Sequence, residues 1–90
     1  MSTIVELIVS RKINAAIVFE NDNVIAFLDH EPISKGHILI YPKKSYESIV
    51  DVPLPILTEV MSVAKSLYAK VCDIYSPDGV TLMQNNGAFN

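Results

Sequence analysis

Asp29, His37 and Asn85 are the polar residues of this sequence best placed for chemistry, because each stands at an end of a predicted apolar strand. A polar side chain at the end of a strand lies beside an apolar surface and can reach the polar groups of a bound ligand. The carboxylate of Asp29 can accept two hydrogen bonds from a vicinal diol such as ribose. His37 has the side chain of a general acid or base. The three residues predict a binding groove if the fold brings them together.

Each of these residues also has a structural interpretation, which is favoured when it is judged singly. Asp29 could end a strand or cap the loop toward Pro32, and the ring of His37 could bond a backbone carbonyl. Asn85 precedes Asn86 and Gly87, and such a run is typical of a turn. His30 is next to Asp29, but neighbours on a strand point to opposite faces, which weakens a dyad between them.

Familiar catalytic and metal-binding motifs are missing from the sequence. It contains no glycine-rich phosphate loop, no Cys-x-x-Cys, no His-Glu-x-x-His and no Gly-x-Ser-x-Gly. The two histidines, seven residues apart and without a cysteine nearby, supply too few ligands for zinc. Cys72 falls within a predicted helix and is expected to be inert. We therefore predict neither a metal nor a cofactor.

The composition describes one small globular domain over residues 1–90. Half of the 90 residues are hydrophobic and 19% are charged, which allows a buried core. A net charge of −3 without a basic stripe argues against a nucleic-acid partner. The amino end lacks a basic start and no apolar run approaches about 20 residues, so we expect neither a signal peptide nor a membrane span. A single cysteine is consistent with a reducing compartment, and we expect a cytoplasmic protein.

Hydrophobic periodicity predicts an α+β fold with a mostly antiparallel sheet. We expect a short first helix, capped by Thr3, in which Ile4, Leu7 and Ile8 share one face. A long helix is predicted over 54–75. Its apolar stripe consists of Leu57, Val60, Met61, Ala64, Leu67, Tyr68, Val71 and Tyr75. The predicted strands cover residues 15–20, 24–29, 36–41 and 80–84, and the first two form a hairpin around the turn 21–23.

Alternation along the third strand gives the sheet two apolar faces. His37, Leu39 and Tyr41 share one face, and Ile38 and Ile40 share the other. The long helix can cover only one of these faces. A second copy of the chain is the simplest cover for the other, which predicts a homodimer.

Four segments together resemble the amino-terminal two thirds of the histidine triad (HIT) family of nucleotide hydrolases and transferases. They are residues 17–22, 24–29, 32–44 and 82–87. The most specific part is the run 27–44, which contains Asp29, Pro32, Gly36-His37 and an apolar strand that ends in Pro42-Lys43-Lys44. The resemblance implies a homodimer with one continuous sheet, in which each subunit binds a purine nucleotide resembling AMP.

The resemblance also implies roles for individual residues. Asp29 would hold the ribose hydroxyls, and Asn85 would reach toward the α-phosphate or the leaving group. His37 matches the family's histidine outside the triad and would support the catalytic histidines without contacting the substrate. The base and sugar would be walled by Phe27, Leu28, His30, Leu39 and Ile8.

The sequence departs from the family pattern in its last part. The His-x-His-x-His run is absent, and its middle histidine is the nucleophile that forms a nucleotidyl-histidine intermediate. A complete form is expected to be a phosphoramidase or dinucleoside polyphosphate hydrolase, whereas this chain alone should be inactive. The absent strand would leave a sheet edge unpaired, so either the native protein is longer or this edge pairs in another way, and we expect the first. The alternatives are a non-catalytic dimerisation or scaffold module, and a purely structural resemblance in which Asp29 and His37 are packing residues.

Overall fold

In the described part of the chain, a three-stranded antiparallel sheet carries a helix on each face. The computed structural model describes residues 4–28, 37–75, 79 and 81–83. In chain order the elements are α1 (Ile4–Val9), β1 (Ile17–Glu20), β2 (Val24–Leu28), β3 (Ile38–Pro42), a short 3-10 helix (Ile49–Asp51) and α2 (Leu54–Tyr75). The sheet order is β1-β2-β3. The predicted α+β class is confirmed, and α2 has the predicted bounds.

The hairpin between β1 and β2 is closed by an Asx turn. The side-chain oxygen of Asn21 accepts hydrogen bonds from the N–H groups of Asn23 (2.9 Å) and Val24 (2.8 Å). The amide groups of Asn21 and Asn23 both donate to the carboxylate of Glu59 on α2. The predicted turn is therefore confirmed, and a helical side chain holds it from outside the hairpin.

Two strands begin later than the periodicity predicted. β1 starts at Ile17 rather than at residue 15, and the pairing register shifts between Ile17 and Phe19. This bulge places one extra residue opposite β2, which shortens the regular ladder. β3 starts at Ile38 and includes Pro42, which pairs with Val24 at the end of the strand.

α2 covers one face of the sheet, but its contact stripe differs from the predicted one. Val63, Ala64 and Leu67 are its buried residues, and Val63 was not in the predicted stripe. Met61 and Tyr68 were in the stripe, yet they are 52% and 46% exposed. The difference arises because eight apolar positions occupy more of the helix circumference than a small sheet can cover. At its start, the carbonyl of Pro53 accepts hydrogen bonds from the N–H groups of Ile56 and Leu57, both at 3.0 Å.

The two faces of the sheet carry separate apolar clusters. The α2 face consists of Val24, Ala26, Val63 and Leu67, with Ile38, Ile40 and Val60 packed against them. The α1 face consists of Val5, Ile8, Ile25 and Phe27, with Val9, Ala15, Ile17 and Leu39 packed against them. The predicted alternation of Leu39 against Ile38 and Ile40 is thus confirmed. We expected a second copy to cover the face opposite the long helix, whereas α1 covers part of it within the chain.

α1 is confirmed as a short helix, and Ile8 of its predicted face is buried. Val5 is buried as well, although the prediction did not include it, and Leu7 is half-buried. Thr3 and the side chain of Ile4 lie outside the described residues. Val5 and Ile8 are one turn apart and pack together on the sheet.

α1 ends in a Schellman motif with an unusual residue at its centre. The N–H of Lys12 donates to the carbonyl of Leu7 (2.9 Å), and the N–H of Arg11 donates to that of Ile8 (3.1 Å). Arg11 has φ 65°, a left-handed conformation that usually belongs to glycine. For a residue with a Cβ this conformation costs about 1–2 kcal/mol, so other contacts of Arg11 must offset it.

The fourth predicted strand, over 80–84, is not formed at residues 81–83. These three described residues belong to no helix or strand. Leu82 instead lines a cavity together with Met61 and Tyr68 of α2. A strand requires a hydrogen-bonded backbone partner, and a helix side offers none.

Candidate functional site

Ile8, Phe27 and Leu39 pack together on the α1 face. Ile8 comes from α1, Phe27 from β2 and Leu39 from β3. Phe27 and Leu39 are direct partners across the two strands. Ile8 and Phe27 are only 3% and 5% exposed, so both are well ordered by packing. Three elements thus supply one apolar cluster, and its predicted role as the wall of a binding site remains a prediction.

Leu28 lies apart from these three residues. It pairs with Ile38 at the end of β2, and alternation along the strand turns it to the α2 face. Its side chain is 41% exposed. The structure therefore does not bring Leu28 together with Phe27 and Leu39.

Three further predicted site residues, Asp29, His30 and Asn85, lie outside the described residues. Asp29 directly follows Leu28, the last residue of β2. Their predicted roles remain predictions, and so does the convergence of Asp29 and Asn85 with His37.

His37 immediately precedes β3 and is half-buried. It stands two positions before Leu39, so the alternation of β3 places it on the α1 face. The predicted sharing of a face by His37, Leu39 and Tyr41 is consistent with this position. Its support of catalytic histidines remains a prediction.

Tyr41 is a residue of this surface that the sequence did not single out for binding. Its ring stacks on that of Phe27, with centroids 5.8 Å apart and planes at 12°. Tyr41 pairs with Ile25, and this register makes it the diagonal neighbour of Phe27. It is 37% exposed, so part of its ring faces solvent. The predicted shared face with Leu39 was the available signal, but the register of β2 on β3 could not be read from the sequence.

A cluster of three charged side chains lies beside this surface. Arg11 Nη2 donates to Glu20 Oε1, and Lys43 Nζ is 2.8 Å from Glu20 Oε2. Hydrogen bonding from Lys43 and then from Arg11 lowers the pKa of the Glu20 carboxyl below its usual value. Glu20 is therefore firmly ionised at neutral pH.

Two cavities lie away from the α1 face. One is lined by Asp22, Asn23, Lys43, Lys44 and Tyr46 next to the hairpin, and the other runs along α2. Neither is lined by Ile8, Phe27 or Leu39. Within the described residues, no three His, Cys, Asp or Glu side chains gather as metal ligands would. None of the described helices combines the length and apolar character that crossing a membrane requires.

Comparison with known proteins places these features in context. The family model described as the HIT domain matches residues 10–89. An uncharacterized HIT-like protein of Methanocaldococcus jannaschii is 36% identical over 80 residues, which is 89% of this chain and 61% of the relative. Adenosine 5′-monophosphoramidase of Saccharomyces cerevisiae is also 36% identical over 80 residues, 89% of this chain and 48% of the relative.

Solved structures agree with the sequence comparisons. The crystal structure of a HIT family protein from Bacillus anthracis superimposes with a TM-score of 0.88 at 31% identity. The match covers 93% of this chain and 60% of that protein. The chain therefore spans about half to three fifths of the length of these relatives. Its sheet and helices correspond to the first part of their fold.

Proposed function

The chain belongs to the HIT domain family, and from this premise we propose that it binds a purine nucleotide resembling AMP on its α1 face. The observation that carries the proposal is the meeting of Ile8, Phe27 and Leu39 from three different elements. Because Ile8 and Phe27 are almost fully buried, a flat base would lie at the edge of this cluster, where the Tyr41 ring stacked on Phe27 is partly exposed. A similar protein is named adenosine 5′-monophosphoramidase, which supports an adenine nucleotide.

The polar half of the proposed site follows the strand ends. Asp29 comes two residues after Phe27, and we assign to it the two ribose hydroxyls. His30 would complete the sugar and base walls, whereas Leu28 lies on the opposite face of the sheet and is left out of the proposed site. Asn85 would reach the α-phosphate or the leaving group, and His37 would support catalytic histidines.

The proposed activity belongs to a complete form that carries the histidine triad. Such a protein would hydrolyse or transfer nucleotidyl groups as a phosphoramidase or dinucleoside polyphosphate hydrolase. Its nucleophilic histidine would form a nucleotidyl-histidine intermediate. The 90 residues contain two histidines, His30 and His37, and no His-x-His-x-His run. We propose that this chain binds nucleotide without turning it over, as a cytoplasmic homodimer.

Isothermal titration with AMP tests the proposal. We expect binding to the native chain and a loss of at least about tenfold in Asp29→Ala, because two hydrogen bonds to a charged group disappear. Asp73→Ala is the matched control, since it removes the same charge from an exposed position on α2. The analogue 2′-deoxy-AMP should bind the native chain more weakly than AMP, and Asp29→Ala should not distinguish the two.

Two results would contradict this proposal in different ways. No heat from AMP with the native chain would remove nucleotide binding altogether. If Asp29→Ala and Asp73→Ala bind AMP with equal affinity, Asp29 does not bind the ribose, and only the proposed base site stands. Reading the coding sequence beyond the codon for Asn90 tests the complete form, because a His-x-His-x-His run in frame would supply the nucleophile.

A second candidate function is a non-catalytic dimerisation or scaffold module. Exposed apolar side chains favour it, since Met61 and Tyr68 on α2 and Leu82 and Met83 beside it are 46% to 71% exposed. Sedimentation equilibrium distinguishes the candidates. The scaffold is favoured if the native chain is a dimer that binds no AMP and if Met61→Lys is a monomer. A native chain that is a monomer and binds AMP would exclude the scaffold.

A further inference from the structure

We propose that Arg11 is a positioning residue for the candidate nucleotide site, and that its bridge to Glu20 fixes Ile8 over the sheet. This inference rests on the proposed function, in which Ile8 is one wall of the base site. It concerns a residue outside the segments on which the family resemblance was based. The bridge joins the carboxyl end of α1 to β1.

The geometry at the end of α1 carries the inference. The carbonyl of Ile8 accepts two hydrogen bonds from Arg11, one from the backbone N–H at 3.1 Å and one from Nη1 at 3.2 Å. The second guanidinium nitrogen, Nη2, donates to Glu20 Oε1. One planar side chain therefore holds the backbone of Ile8 and reaches the sheet at the same time.

Glu20 is a firm anchor for this bridge. Its backbone pairs with Ile25 at the turn end of the hairpin, and its second carboxylate oxygen is 2.8 Å from Lys43 Nζ, just after β3. The side chains of Glu20 and Lys43 are 22% and 25% exposed, so solvent screens this pair less than a fully exposed one. All three strands thus contribute, directly or by pairing, to the position of Arg11.

The backbone of Arg11 gives an independent indication. Its φ of 65° lies in the region that favours glycine. A residue with a side chain persists there only when its surroundings fix it. The contacts of the guanidinium with Ile8 and Glu20 account for an arginine at this position.

α1 depends on such contacts because it is short. A helix of six residues does not form by itself in water. Its setting on the sheet comes from Val5 and Ile8, from the Ser45 hydroxyl that donates to Glu6 (3.2 Å), and from the Arg11 bridge. Loosening the bridge should therefore move Ile8 relative to Phe27 and weaken base binding.

Titration with adenosine tests this role, because an uncharged ligand does not respond to the lost charge itself. We expect Arg11→Gln to weaken adenosine binding about fivefold, the worth of one well-placed ion pair. Arg11→Lys should bind adenosine more tightly than Arg11→Gln but less tightly than the native chain, since lysine keeps the positive charge but lacks the two guanidinium nitrogens that contact Ile8 and Glu20. Lys12→Gln removes the same charge one residue along, from an exposed position, and should bind as the native chain does.

Arg11→Gly separates positioning from stability. Glycine is favoured at the left-handed position, so the urea midpoint should stay at or above that of Arg11→Gln. Adenosine affinity should nevertheless fall about fivefold, because the guanidinium is gone. Native affinity in Arg11→Gly, or an equal loss in Lys12→Gln, would overturn the proposal.

The methyl signals of Ile8 test the inference without any ligand. They should shift in Arg11→Gln and Arg11→Gly and remain in place in Lys12→Gln, because side-chain packing around Ile8 changes only in the first two. Unshifted methyl signals in both Arg11 variants would overturn the positioning role even if adenosine binds. If the native chain does not bind adenosine while the methyl signals shift as expected, the proposed function fails and the positioning of Ile8 stands.

Discussion

The two faces of the sheet are covered by helices of very different length and in different ways. α2 has 22 residues and lays Val63, Ala64 and Leu67 on small aliphatic side chains. α1 has six residues and depends on polar contacts as well as on Val5 and Ile8. A long helix over small side chains makes a stable core, whereas a short tethered helix leaves a surface that can adjust to a ligand.

The side chains of the two faces differ in kind as well. Val24 and Ala26 of β2, which lie on the α2 face, are aliphatic and fully covered. The α1 face carries the stacked rings of Phe27 and Tyr41, and the Tyr41 ring is partly exposed. Aromatic rings at the edge of a packed surface can stack on a base, and aliphatic side chains under a long helix cannot. If the chain binds a nucleotide as we propose, stability depends mainly on the α2 face and binding on the α1 face.

The largest expected effect is on the α2 face. Leu67→Ala should lower the free energy of unfolding by about 3–4 kcal/mol, because a rigid helix cannot close the cavity that the mutation leaves. Urea denaturation measures this loss. Lys65→Ala, an exposed change on the same helix, should stay within about 0.5 kcal/mol of the native chain.

The matching change on the α1 face should cost less. Ile8 is 3% exposed, against 7% for Leu67, so burial alone would predict at least an equal loss. We expect Ile8→Ala to cost only about 2 kcal/mol, because a short helix can settle toward the sheet and reduce the cavity. If Ile8→Ala lowers the free energy of unfolding as much as Leu67→Ala does, the two faces are equally rigid and the proposed difference between them is wrong.

The sequence predicted the α2 face better than any other part of the fold. Periodicity over more than five turns gave α2 its bounds, Leu54–Tyr75, without error. The hairpin turn was also predictable, because Asn21 and Asn23 have side chains that favour it. The bulge after Ile17 was not, since its cause is the pairing of β1 with β2. Residues 81–83 failed as a strand because a strand depends on a partner, which local composition does not reveal.

The sequence grouped Ile8, Phe27 and Leu39 only through the family resemblance. The structure packs these three together, whereas Leu28, named with them, lies on the other face of the sheet. Tyr41 was missed because stacking on Phe27 depends on register. Arg11 was missed because left-handed residues are expected to be glycine, and an arginine after a helix looks like an ordinary solvated charge.

A smaller effect is expected where α2 holds the hairpin. Glu59→Ala should cost about 1 kcal/mol, because the amide groups of Asn21 and Asn23 lose a charged acceptor near the surface. The loss should be absent from Asp73→Ala on the same helix. In a chain that already carries Asn23→Ala, Glu59→Ala should lower the free energy of unfolding by less. If the two losses simply add, the hydrogen bond between Asn23 and Glu59 contributes nothing to stability.

The smallest expected effect is the pH dependence of the Glu20 bridge beside α1. Lys43 and Arg11 lower the pKa of Glu20 in the folded chain from 4.5, so its stabilisation is complete above that value and is lost as the pH falls through the folded pKa. At pH 7 the free energy of unfolding of the native chain should exceed that of Glu20→Gln by about 1 kcal/mol or less, because solvent partly screens the charges of the bridge. The gap should narrow below about pH 4.5. Glu47→Gln, which changes an exposed residue, should have the stability of the native chain at both pH values. If the stability difference between the native chain and Glu20→Gln stays constant from pH 7 to pH 3, the charge of the Glu20 carboxylate does not hold α1.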